Sequence, residues 1–255
     1  FENYVEQFEI FINKITKGGI LIYNQDDIEV KKVAESTTNE IRKIAYTTPK
    51  YTVQDGVTLL ETPEGDMPIE VFGAHNLNNL AGAKWVCQNM GIDEADFYEA
   101  IATFKGASKR LEKIAESKGK VAYKDFAHSP SKVSATTQAV KQQYPNRKLV
   151  ACLELHTYSS LNAEFLKEYE GALNAADVAV VFYSPDAVKI KRLEEVTAQQ
   201  IADAFKRKDL VIYTNPADFK NYLFQMNLEN SALLLMSSGN YGGLNFDEVK
   251  TLIEK

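Results

Sequence analysis

A chain of 255 residues with 45% hydrophobic content fits one large or two medium domains and has enough apolar side chains to bury ordinary cores. Its 29 Lys and Arg against 35 Asp and Glu give a net charge of −6, which leaves no cationic excess for a polynucleotide surface. No apolar run approaches the roughly 20 residues that span a bilayer, and the first residues lack a basic-then-apolar leader pattern, so the expectation is a cytoplasmic protein with no membrane or nucleic-acid partner.

The chain opens on Phe1 and moves directly into a helical pattern, which suggests that an upstream segment is missing. Residues 1–16 place Phe1, Val5, Phe8, Ile12 and Ile15 on one helical face, ended by Lys17-Gly18-Gly19, and Ile20–Tyr23 follows as a buried strand. From Tyr51 to Phe72 the sequence alternates around Asp55-Gly56 and again around Pro63-Glu64-Gly65-Asp66, the pattern of a β-meander. Helical patterns cover 75–90 and 93–104 before Lys105-Gly106-Ala107-Ser108 breaks the order, and the domain boundary is placed there, dividing the chain into 1–108 and 109–255. Strands are predicted near 120–124, 148–154, 178–183, 210–213 and 231–237, with helical stretches between them. That rhythm predicts an α/β fold: a Rossmann-like, mostly parallel, doubly wound sheet with helices on both faces, whose ligands gather at the carboxyl ends of the strands. Cys87 and Cys152 sit in a helical and a strand pattern with no CxxC or Cys/His cluster, so both read as reduced core residues and no metal site is expected.

Several segments carry chemistry-bearing side chains. Asn76 and Asn79 fall one turn apart at the start of a helix, where paired amides suit an adenine edge; the alternative makes Asn76 a helix cap. Arg110 follows the proposed boundary and could neutralise a phosphate, although a Lys-Arg pair in a linker is also an ordinary solvated feature. Asp125 ends the first strand of the second domain, where a carboxylate can accept both hydroxyls of a ribose. His128 then precedes Ser129-Pro130, a helix-start pair. Two strand-end loops, Glu154–Leu161 with His156 and Ser159, and Met236–Gly243 with Ser238, Gly239 and Asn240, could cradle a zwitterionic or carboxylate-bearing substrate or simply make turns.

In this order and at these separations, the segments resemble the Mur ligases of peptidoglycan synthesis through nearly the whole chain. Gly73–Asn79 is similar to the family's Gly-x-His-Asn-x-x-Asn pattern, and Phe104–Arg110 to its Phe-x-Gly-x-x-x-Arg run. Lys124-Asp125-Phe126-Ala127-His128-Ser129-Pro130, Glu154 and the run 236–243 resemble the branch that attaches a recycled L-alanyl-γ-D-glutamyl-meso-diaminopimelate to UDP-N-acetylmuramate, with Ser129 standing where that branch has a second His. His156 instead agrees with the L-alanine-adding branch. The resemblance implies 1–108 as the rear part of the central ATP-binding domain and 109–255 as the C-terminal domain. It also implies a ligase using ATP and Mg²⁺, which activates the muramyl carboxylate as an acyl phosphate for attack by a peptide amine or L-alanine. Carried over, Asn76, Asn79 and, less directly, His75 meet adenine, Arg110 the phosphates and Asp125 the ribose. The loops at His128, His156, Ser159 and Ser238-Gly239-Asn240 then face the amine substrate, and no residue here is assigned the catalytic step. A phosphate loop and the family's Mg²⁺ ligands do not occur in these 255 residues, so the chain alone is expected to be inactive. Two other readings are weighed: a non-catalytic nucleotide-binding module, and a relative that extends folate with glutamate, against which the 124–130 and 236–243 segments argue.

Overall fold

A computed structural model describes residues 1–194 and 196–255. The chain forms two compact units, Phe1–Phe104 and Lys105–Lys255.

In the first unit, α1 (Glu2–Asn13) is shorter than the 1–16 expected. Val5 and Ile12 of its apolar face, and Ile15 just beyond its end, pack with Leu21 and Tyr23 of β1 (Ile20–Asn24) and with Val33 and Ala34 of α2 (Ile28–Ser36). Phe1 and Phe8 of the same expected face are exposed, as are Tyr4 and Phe11. β1 pairs in parallel with β2 (Arg42–Tyr46), Ile22 opposite Ile44. Neither α2 nor β2 was expected. α2 buries only Val33 and Ala34 along a charged stretch, and β2 buries only Ile44, so neither carries a strong period. Local chemistry marks the start of α2, where the Asp27 carboxylate accepts from the backbone N–H of Glu29 and Val30, both at 3.0 Å.

The meander follows as β3 (Tyr51–Gln54), β4 (Val57–Thr62) and β5 (Gly65–Ile69), antiparallel in that order. Asp55 and Gly56, with φ of 50° and 79°, make the two-residue turn whose twist matches its flanking strands. One face of the meander buries Leu60 and Ile69 against Leu77 and Leu80 of α3 (Ala74–Asn89) and Phe97 of α4 (Glu94–Ala102).

The second unit begins with β6 (Glu112–Ser117) and β7 (Lys120–Asp125), then α5 (Pro130–Gln143), β8 (Lys148–Glu154) and a 3₁₀ turn, Phe165–Tyr169. It continues through β9 (Val178–Phe182), α6 (Pro185–Ile190), α7 (Ala198–Phe205), β10 (Val211–Tyr213), α8 (Pro216–Gln225), β11 (Ser231–Met236) and α9 (Phe246–Glu254). Among the described residues these strands form one six-stranded sheet in the order β10-β9-β8-β11-β7-β6. The pairs β10/β9, β9/β8, β8/β11 and β11/β7 are parallel, as expected, and the unexpected β6 runs antiparallel at the edge. β6 is polar because an edge strand half-faces water, which hides it from an apolar-run criterion. Alternate residues of the central strands, among them Val150, Cys152, Val180, Phe182, Leu233 and Leu235, bury against Phe219 and Leu223 of α8 and Val249 and Ile253 of α9. α5, the 3₁₀ turn and α7 pack together on the opposite face, completing a Rossmann-like α/β layer arrangement. Each such fully buried aliphatic side chain contributes about 1.5–3 kcal/mol.

β11 returns between β7 and β8, so the strand order reverses there and their carboxyl ends flank a crevice position, where this kind of sheet holds ligands. Cys152 is in the core of β8, where burial pushes its thiol up to about 12, whereas Cys87 on α3 is only half-buried; both are free. No helix among the described residues is long and apolar enough to cross a membrane.

Candidate functional site

Three strand ends supply the polar groups of the second unit. At the end of β7, Asp125 is 6% exposed and its carboxylate bridges two backbone segments, accepting from Leu111 N–H on one oxygen and from Ala127 N–H on the other, each at 2.6 Å. The segment before β6 is fixed from its other side by Glu112, which accepts from Lys109 N–H at 2.8 Å and Ser108 Oγ at 3.1 Å, while Phe126 N–H donates to Lys109 O at 2.8 Å. Burial raises the Glu112 pKa, but these donors and Lys124, 2.9 Å away, outweigh it and hold the carboxyl below its usual range. Lys109 and Leu111 sit at φ of 55° and 46°, a conformation that L-residues adopt at a cost and that these bonds maintain. Arg110 therefore extends from a tied loop rather than a loose linker. Its side chain is exposed, with the guanidinium carbon 5.9 Å from the Phe126 ring centre. His128 is half-buried, its Nδ1 2.8 Å from Phe126 O and its ring edge-on to the Phe126 ring. Ser129 is the cap residue of α5, with Pro130 at the first helical position, but its side chain makes no capping bond.

At the ends of β8 and β11 the polar groups converge on Glu154, which is 3% exposed. Its Oε2 accepts from Ser237 Oγ and from Tyr241 N–H, the latter at 2.8 Å, and Oε1 lies 3.7 Å from His156 Nδ1. Tyr241 is itself fully buried, its hydroxyl donating to Cys152 O or Met236 O at 2.7 and 2.8 Å, and burial keeps that hydroxyl well above the ordinary phenol range. Gly239 N–H donates to Ser237 Oγ at 2.6 Å. Ser238 Oγ is buried with no hydrogen-bond partner. Asn240 is exposed and closes the following turn, accepting from Gly243 N–H at 3.2 Å through Oδ1 and from Leu244 N–H at 2.8 Å through its carbonyl. Ser159 is exposed one turn beyond His156, 3.2 Å from Thr157 Oγ1, and borders a shallow cleft of about 570 Å³ that includes Tyr158, Asn162 and Phe165. Arg110, Asp125, His128, His156, Ser238, Gly239 and Asn240 thus gather at one end of one sheet. Glu154, which organises much of this end, entered the sequence reading as the first residue of its loop and as a mark of the peptide-adding branch, without a site role of its own. Its signal is an acid closing an otherwise apolar strand.

In the first unit, His75 and Asn76 lie in the first turn of α3 and Asn79 one turn on. Asn76 Nδ2 donates to Phe72 O at 2.9 Å, so this amide bonds back to the connection between β5 and α3, and the cap residue is Gly73 rather than Asn76. Asn79 is exposed. The buried amide is Asn78, whose Nδ2 faces Thr48 Oγ1 at 3.1 Å and Asn24 Oδ1 and Asp26 Oδ2 at 3.3 Å, tying α3 to the ends of β1 and β2. Among the described residues no group of three or more His, Cys, Asp or Glu is arranged to hold a metal ion.

The Mur ligase, glutamate ligase domain model matches residues 109–239. The UDP-N-acetylmuramate–L-alanine ligase of Gloeothece citriformis is 31% identical over 211 residues, covering 78% of this chain and 42% of that protein. Among solved structures, a murein peptide ligase from Psychrobacter arcticus superposes with a TM-score of 0.63 at 17% identity, covering 98% of this chain and 55% of that one. The Mycobacterium tuberculosis folylpolyglutamate synthase complexed with ADP superposes with a TM-score of 0.62 at 18% identity, covering 92% and 55%. The chain spans 38% of the length of the first relatives it matches and 57% of another. The chain belongs to the Mur ligase family and carries that family's glutamate ligase domain across residues 109–239.

Proposed function

We propose that this chain supplies the amine-substrate side and part of the nucleotide side of an ATP-dependent ligase that joins L-alanyl-γ-D-glutamyl-meso-diaminopimelate to UDP-N-acetylmuramate. ATP supplies the phosphoryl group that turns the muramyl carboxylate into an acyl phosphate, and the incoming amine displaces phosphate. The supporting observation is the convergence of Arg110, Asp125, His128, His156 and the 238–240 loop at the reversal point of one sheet, all but Asn240 within the residues matched by the family. There Arg110 neutralises phosphate charge, Asp125 receives ribose hydroxyls on the lone pairs its two backbone donors leave free, and the β8 and β11 loops orient the amine. Asn76, Asn79 and His75 serve the adenine end. The peptide-adding branch is favoured by the 124–130 and 236–243 segments and by the buried Glu154 between them. L-Alanine as the amine is the second reading, favoured by relatives named as L-alanine ligases. Structural similarity does not separate the two, because both kinds of ligase share this fold at similar TM-scores.

Asp125→Ala, introduced into the ligase containing this chain, is expected to raise the KM for ATP roughly 10- to 100-fold, the loss of one or two charged hydrogen bonds. Because Asp125 also holds Leu111 and Ala127, the variant's fold is monitored in parallel. An unchanged KM in a folded variant removes Asp125 from the nucleotide site.

A further inference from the structure

The pairing of Glu154 with His156 has a chemical consequence of its own. A neutral imidazole carries one proton, and the group facing one ring nitrogen decides which nitrogen holds it. Glu154 Oε2 already receives two donors, Ser237 Oγ and Tyr241 N–H, so the carboxylate cannot rotate without breaking both bonds. Its remaining oxygen, Oε1, faces His156 Nδ1 at 3.7 Å, longer than a closed hydrogen bond and within reach of a small ring rotation. The Cγ–Cδ2 edge of the same ring packs on Gly239, where a Cβ would approach Cγ to 3.1 Å and Cδ2 to 3.2 Å. The imidazole thus lies between an acceptor fixed by its own two donors and the bare backbone of Gly239. Its side chain is 42% exposed at the carboxyl ends of the strands.

We propose that Glu154 is a positioning residue that fixes His156 with its proton on Nδ1, leaving the Nε2 lone pair as the proton acceptor for the attacking amine. The identity of the proton donor rests on the ligase reading above. In that step the neutral amine attacks the acyl-phosphate carbon and the C–N bond forms. The C–O bond to phosphate breaks, phosphate leaves with the bonding pair, and the surplus N–H proton passes to His156 Nε2.

Glu154→Gln tests the pairing without emptying the site. The amide oxygen must take the place of Oε2, because both groups there are donors, and the NH₂ then faces His156 Nδ1. The imidazole is thereby forced to carry its proton on Nε2. Nitrogen-15 imidazole spectra of the 255-residue chain, recorded with His156 neutral, are expected to show the Nδ1–H tautomer in wild type and the Nε2–H tautomer in Glu154→Gln. An Nε2–H wild type, or a tautomer that the substitution leaves unchanged, overturns the proposal. This measurement needs no nucleotide or substrate, so it stands apart from the ligase reading. In the ligase containing this chain, Glu154→Gln is expected to lower kcat at least about 100-fold with the KM for ATP unchanged, and His156→Gln to match it while leaving Glu154 in place. An inverted tautomer with undiminished kcat refutes the proton-acceptor role. A wild-type ligase that turns over no amine defeats the reaction reading while the spectra still decide the pairing.

Discussion

Gly239 shows how little room a side chain has at the ends of β8 and β11. A Cβ there would sit 2.9 Å from Glu154 Oε2 and 3.1 Å from His156 Cγ, and since φ lies outside the left-handed region the obstacle is contact rather than backbone strain. Gly239→Ala is therefore expected to destabilise the second unit by about 1–3 kcal/mol, read as a lower urea midpoint. The cost should shrink when Glu154 is also Ala, a coupling that a double-mutant cycle measures; a neutral Gly239→Ala would mean that the loop yields freely. Gly239 was legible in the sequence only as part of a strand-end loop that could cradle a substrate. In the structure its N–H donates to Ser237 Oγ, and the space a Cβ would need is taken by Glu154 and His156. Glu154 was harder to weigh, because its partners Ser237 and Tyr241 lie 83 and 87 residues further along, and no local pattern connects them. Asn78 was passed over for the same reason, its acceptors being on Asn24, Asp26 and Thr48.

Between elements, Asp177 joins three pieces of the second unit at the amino-terminal end of the sheet. Just before β9, it accepts from Lys141 Nζ of α5 at 2.8 Å and from Leu149 N–H of β8 at 2.7 Å. Burial raises its pKa, but Lys141 and the Leu149 N–H outweigh that effect and the carboxyl ends below its usual range. A folded-state value below the unfolded one, about 3.9, means that the contribution to stability is fully present above about pH 4 and is lost as pH falls through the folded value. Asp177→Asn should therefore lower the urea midpoint near neutral pH, and the difference from wild type should close as pH falls through the depressed folded-state value. A gap independent of pH would show that the role is steric. Elements such as β8, β9 and β11 were legible because a parallel strand buried on both faces is a nearly unbroken apolar run. β2, β6 and α2 were not, since each is half-exposed and its place is set by partners outside its own stretch.

As a whole, the molecule divides into two units that each carry one free cysteine, Cys87 in the first and Cys152 in the second. The first unit rests on a two-stranded and a three-stranded sheet with small cores, the second on a six-stranded sheet. Stability rises with the extent of buried core, so unfolding is expected in two stages, the first unit leading. Cys87 should react with a thiol reagent at low urea, whereas Cys152, whose thiolate burial disfavours, should react only when the second unit opens; simultaneous labelling would show a single cooperative body. The same second unit holds the residues assigned to the phosphates, the ribose and the amine, so the reaction itself is the most direct test. ATP-dependent phosphate release is measured with the ligase containing this chain, offered UDP-N-acetylmuramate with either L-alanyl-γ-D-glutamyl-meso-diaminopimelate or L-alanine. Release that requires the tripeptide is the predicted result; release that requires L-alanine moves the chain to the alanine-adding branch, and release with neither contradicts the ligase reading.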